Sequence, residues 1–123
     1  MRRISGTSPY EARIGYCRAV VGGGLVHVSG TTGPDPETGT FPDDVAEQCR
    51  NALAIVARAL EEAGSGFDKA LRVTYILPDR RDFEACWPIL AETFGANPPA
   101  ATMIEAGLLS PGMKFEIELT ALA

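Results

Sequence analysis

The chain has 123 residues, 46% of them hydrophobic and 22% charged, with a net charge of −5. That length holds one domain with a real core, so residues 1–123 read as a single domain. The composition excludes a disordered tail, and the acidic balance disfavours nucleic acid, whose binders carry basic stripes. The nearest approach to a basic cluster, Arg80-Arg81, lies between Asp79 and Asp82. One histidine, His27, and three widely spaced cysteines leave too few ligands for a protein-built metal site. A Ser-His-Asp hydrolase would need His27 as its base; a histidine standing in a strand is the simpler reading. The opening "MRRISGTSPYE" lacks a signal-like apolar run, and no segment approaches the ~18 apolar residues of a membrane span. The expectation is a cytoplasmic protein without membrane association.

In chain order, "IGYCRAVV" and "LVHVSG" read as strands joined by the hairpin glycines Gly22-Gly23-Gly24. "TTGPDPETGTFP" reads as a loop. A helix follows at roughly 43–63, with Asp44 and Glu47 as a capping pair. Its buried stripe is Val45, Cys49, Ala52, Leu53, Val56 and Leu60, which makes Cys49 a small core residue. "KALRVTYILP" is the next strand, with Leu71, Val73, Tyr75 and Leu77 on one side. A second helix at about 80–95 carries Phe83, Cys86, Trp87, Leu90 and Phe94, and Pro88 within it predicts a kink or a late start. "AATMIEAGL" and "KFEIELTALA" close the chain as strands. The order β-β-α-β-α-β-β predicts an α+β two-layer domain, a mixed sheet with two helices on one face.

The opposite sheet face then gathers Tyr16, Arg18, His27, Ser29, Arg72, Glu116 and Glu118, mixed with Val20, Leu25, Ile76 and Leu122. Such a face is either wet or a subunit interface, and its apolar share favours the interface. Glu116 and Glu118 stand ~6.6 Å apart along a strand. At an effective dielectric near 20 they repel by on the order of 2 kcal/mol. Without a counter-charge from Arg18 or Arg72, one of them should have a raised pKa, as a proton-transfer group needs.

The segments "IGYCRAV", "LVHVSGTTGPDPETG", Gln48, "RVTYILPDRRDF", "NPPAATMIEAGLL" and "KFEIELTALA" run in the order and spacing of the RidA (YjgF/L-PSP) family, which the chain resembles from about Ser8 to its end. The resemblance implies a chorismate mutase-like fold and a homotrimer whose intersubunit clefts bind small carboxylate-bearing ligands. It implies hydrolysis of reactive enamines and imines, released by pyridoxal-phosphate enzymes, to keto acids and ammonia, with no cofactor. An arginine clamps the substrate carboxylate in such proteins, and a glutamate near the C-terminus positions water. Matched by position, Tyr16, Ser29 and Gly30 fall on site residues of the family, although Gly15 replaces a proline before the tyrosine. Met103 stands where deaminating members often carry cysteine, and Glu116 matches the water-positioning glutamate. The arginine is replaced by Ala101, which cannot grip a carboxylate. Arg18, Arg72 or Arg13 could supply the charge from elsewhere.

The first expectation is therefore a cofactor-free hydrolase or deaminase with Glu116 acting on water, backbone N–H groups near Gly30 and Met103 steadying negative charge, and Tyr16, Arg18, Ser29 and Ala101 lining the cleft. The alternative is a non-catalytic trimer that binds a small metabolite or another enzyme, a reading that Ala101 favours. Ribonuclease activity ranks last, given the acidic charge and the single histidine.

Overall fold

A computed structural model describes residues 1–123. Six strands form one sheet: β1 (Arg2–Ile4), β2 (Ala19–Gly22), β3 (Leu25–Thr32), β4 (Ala70–Leu77), β5 (Ala100–Glu105) and β6 (Glu116–Leu122). Their spatial order is β1-β2-β3-β6-β4-β5. Only β4 and β5 pair in parallel. The helices are α1 (Tyr10–Ile14), α2 (Val45–Glu62) and α3 (Trp87–Phe94). The longer two, α2 and α3, pack on one face of this mixed sheet, the two-layer α+β arrangement the periodicity predicts. Cys49, Ala52, Val56 and Leu60 of α2 share one core with Val26, Val73, Ile117 and Ala121 of the sheet.

Two elements exceed the expected order. The three-residue β1 is too short to show a period, and it forms only by pairing with β2. The five-residue α1 ends at Gly15, which adopts the left-handed conformation (φ 95°). The hairpin between β2 and β3 turns on Gly23 and Gly24, both at positive φ, where glycine has no steric penalty. Asp44 caps α2 by accepting from the Ala46 N–H at 3.0 Å.

The second helix starts late. Short 3-10 turns occupy Arg80–Asp82 and Glu84–Cys86, and α3 begins at Trp87. Pro88 falls in its first turn, where the missing N–H has no helical acceptor. Two stripe residues leave the core as a result of local geometry. Trp87 is 54% exposed at the start of α3. Leu71 is 46% exposed, because the β4–β6 register shifts between Ala70 and Arg72 and breaks the alternation there.

Gln48 holds the loops around α2 together. It is wholly buried, yet its amide donates to Pro42 O at 2.7 Å and Gly112 O at 2.9 Å, and accepts from Lys114 N at 2.9 Å. The last bond joins α2 to the residues leading into β6. Gln48→Leu would strand two carbonyls and one N–H, and should cost about 2–4 kcal/mol in urea unfolding. A loss under about 0.5 kcal/mol would show that these bonds add nothing beyond those to water.

Candidate active site

Strand β6 lies between β3 and β4, and its core-facing residues Ile117, Leu119 and Ala121 are buried. Alternation then sends Glu116, Glu118 and Thr120 to the face without helices. Glu116 pairs with Thr32 of β3 and Ile76 of β4. Beside it the β3 ladder is irregular. Val28 pairs with Leu119 and Thr31 with Ile117, so three steps on β3 match two on β6. The extra residue is a β-bulge, which lets Val28 and Thr31 both face the core and places Ser29 and Gly30 out of the regular register. A side chain at Gly30 would meet the Glu116 carboxylate, with a Cβ 3.0 Å from Oε1 and 3.1 Å from Cδ. Glycine here is what allows the carboxylate to lie against the backbone.

The bulge is held from the β2 side. Ser29 N donates to Arg18 O, and Ser29 Oγ donates to Cys17 O at 2.7 Å. Thr31 Oγ1 donates to Ser29 O at 2.8 Å. Arg18 is only 8% exposed, and its Nη2 donates to Gly30 O at 2.9 Å. The Tyr16 ring lies over its guanidinium, 5.6 Å from centroid to Cζ. Arg18 Nε is buried without a hydrogen-bond partner. Five of the expected site residues, Tyr16, Arg18, Ser29, Gly30 and Glu116, are thus assembled in one place within a single chain.

Burial is the main cause that holds Glu116 above the usual carboxylate range; the charge of Glu118 adds to it, and Arg18 partly offsets both. No ion pair within 4 Å forms between these groups: the close pairs of the chain are Arg80–Glu105 and Arg81–Asp79. Of the other candidate cations, Arg72 donates to Thr102 Oγ1, and exposed Arg13 stacks on the Tyr10 ring at 5.7 Å. Arg72 borders a polar hollow of about 290 Å³ with His27, Thr74, Glu118 and Thr120. His27 Nδ1 lies 3.1 Å from Thr120 Oγ1. Nowhere do three His, Cys, Asp or Glu side chains converge as a metal site would need. The Cys49 thiol is held protonated by a hydrogen bond to Cys86 and by burial.

Ala101 and Met103 are elsewhere. The parallel register pairs Val73 with Ala101 and Tyr75 with Met103, so both belong to the helix side of the sheet. Glu116 and Glu118 pair with Ile76 and Thr74 of the same strand, on the other side. Ala101 and Met103 instead line an apolar recess of about 200 Å³ with Val73, Tyr75, Phe83 and Trp87. Its wall is aromatic: Tyr75 and Phe83 are 5.6 Å apart, and Phe83 meets Trp87 edge-on at 6.4 Å. This recess was invisible in the sequence, because it depends on the parallel pairing of two strands and on where α3 begins.

The family described as Endoribonuclease L-PSP matches residues 6–123. The chain belongs to the RidA (YjgF/L-PSP) family. A Rattus norvegicus relative named 2-iminobutanoate/2-iminopropanoate deaminase is 34% identical, over 98% of this chain and 90% of its own length. A Homo sapiens protein of the same name is 32% identical, over 99% and 90%. Among solved structures, Rv2704 of Mycobacterium tuberculosis, a member of the YjgF/YER057c/UK114 family, superposes with a TM-score of 0.89 at 34% identity, covering 99% of this chain and 98% of that one. TdcF of E. coli, solved with bound serine, gives 0.81 at 26% identity, covering 99% and 94%. RidA-family relatives thus include imine deaminases. No helix of this member is long and apolar enough to cross a membrane.

A raised Glu116 pKa has a consequence for stability. The native state binds that proton more tightly than the unfolded chain does. Stability is therefore lost as pH rises from the ordinary glutamate value, about 4.3, through the raised native one. Glu116→Gln removes this loss. Its melting temperature should exceed the parent's by a few degrees near about pH 7 and match it below about pH 4, as read by calorimetry. A difference that stays constant across that range would show that Glu116 titrates normally.

Proposed function

We propose that this RidA-family member is a cofactor-free imine or enamine hydrolase whose site is completed between subunits of a homotrimer. The observation that carries this reading is the half-buried Glu116 carboxylate, a weakened acid lying against Gly30 in a bulge held by Arg18 and Ser29. Glu116 takes a proton from water as the water adds to the C=N carbon. That proton passes to nitrogen to give a carbinolamine; Glu116 then carries the hydroxyl proton to nitrogen as the C–N bond breaks, and a carbonyl product and ammonia leave. Tyr16 borders the ligand from the same chain. Arg18 is a positioning residue, since one of its donors already holds the Gly30 carbonyl. Backbone N–H groups near Gly30 and Met103 steady the charge that develops on the substrate.

The trimer supplies what one chain lacks. Ala101 and Met103 are across the sheet from Glu116, so the two halves of the expected site can meet only when the β5 edge of one copy approaches the Glu116 face of the next. That edge has no strand partner, and five of its six residues are exposed, Met103 and Ile104 among them. Tyr10, Ile14 and Tyr16 are further exposed apolar side chains, and Tyr16 lies over Arg18 beside the bulge. Head-to-tail contact between unlike patches closes into a ring, as a trimer requires.

The second reading, a binding module without turnover, is favoured by Ala101, which removes the clamp expected for a substrate carboxylate. Glu116→Gln separates the two. For a hydrolase, the variant should lose about 100-fold or more in imine hydrolysis while sedimenting as a trimer like the parent. Full activity in Glu116→Gln would remove that residue from the chemistry, and sedimentation of the parent as a single subunit at micromolar concentration would remove the cleft.

A further inference from the structure

Resting on the hydrolase reading above, we infer that the recess beside Ala101 accepts an uncharged, ring-sized apolar group, so that the preferred substrates are imines without a carboxylate. Relatives named for 2-iminobutanoate and 2-iminopropanoate act on compounds that carry a carboxylate next to the C=N carbon. In this chain nothing charged lines the recess. Its side-chain heteroatoms are the Tyr75 hydroxyl, the Trp87 indole N–H and the Met103 sulfur. Burial holds the Tyr75 phenol protonated, so it offers a neutral donor and no charge.

Three physical arguments point the same way. A carboxylate placed here would lose its hydration for at most a neutral hydrogen bond, a heavy cost for an ionised group. An apolar group would be drawn in by area buried against Val73, Phe83 and Ala101. The size admits a ring: an enclosed apolar cavity of ~150 Å³ takes up benzene, and this recess, open on one side, measures about 200 Å³. Its wall is already built, because the Tyr75, Phe83 and Trp87 rings brace one another and need no rearrangement to receive a ring. The mouth is open: Trp87 and Met103 on its border are each more than half exposed.

The one tryptophan of the chain is Trp87, so tryptophan fluorescence reports on the border of this recess. The trimeric protein is titrated with cyclohexanone and with pyruvate, a neutral ring ketone and a small keto acid. In parallel it is assayed on cyclohexanimine, made from cyclohexylamine by an amine oxidase, and on 2-iminopropanoate, made from alanine by an amino-acid oxidase. Ammonia release above the spontaneous rate is the readout. Cyclohexanone should shift Trp87 emission where pyruvate does not, and cyclohexanimine should be favoured by about tenfold or more in kcat/KM. Ala101→Arg should reverse both preferences.

Equal or better response to pyruvate and 2-iminopropanoate would overturn the apolar recess while leaving imine hydrolysis standing. A cyclohexanone shift that Ala101→Arg abolishes, with neither imine hydrolysed faster than spontaneously, would uphold the recess and overturn the hydrolase reading and the substrate preference built on it. An emission that neither ketone alters would overturn the recess, as expected if a side chain of a second copy fills it.

Discussion

Strand β6 runs through the middle of the sheet, and the burial of Ile117, Leu119 and Ala121 beneath the helices leaves Glu116 and Glu118 no other side to occupy. Moving β6 by one residue would carry its whole apolar set into solvent and both carboxylates into the core, so the register is strongly specified. The position of Glu116 therefore follows from the hydrophobic effect acting on its neighbours. Its chemistry follows from what β3 brings next to it. The bulge supplies a backbone surface at Gly30 with no Cβ, and the carboxylate settles against it. Burial that is tolerable for a neutral acid is costly for a carboxylate, which is why the group is held as a weaker acid.

Arg18 connects this arrangement to the rest of the molecule. It is almost fully buried and its backbone pairs with β1 through Ile4 O. Its guanidinium reaches across to the Gly30 carbonyl. A buried guanidinium without a close carboxylate is uncommon, because desolvation is repaid only by good partners. Here the partners are a peptide carbonyl, an aromatic face and the more distant Glu116 charge. The arrangement ties the short N-terminal strand, the Tyr16 ring and the bulge into one unit, so the residues around Glu116 are set by several elements at once.

The opposite border of the sheet has a different character. On β5, Ala101 and Met103 carry no charge, and the surface they form with Phe83 and Trp87 is apolar. A family fold held in common, with TM-scores of 0.81 and 0.89 to two solved relatives, thus carries in this chain an apolar surface on one border and a buried carboxylate on the other face. Backbone geometry belongs to the scaffold; the chemistry of each surface is set by the side chains it carries.

The alternating and helical periods in the chain were enough to place α2, the buried sides of β3, β4 and β6, and the carboxylates on the face away from the helices, because those patterns report directly which residues must leave water. Family motifs then marked Tyr16, Ser29, Gly30 and Glu116. What the periods could not show were features without a period: the three-residue β1, the five-residue α1, the bulge that re-aims Ser29 and Gly30, and the register slip that exposes Leu71. Nor could they show that Ala101 and Met103 face away from Glu116, since side-chain direction on β5 is decided by its parallel register with β4. Local sequence determined which residues seek the core. Only the tertiary pairing of strands decided which candidate site residues share a face, because that depends on contacts between segments far apart in the chain.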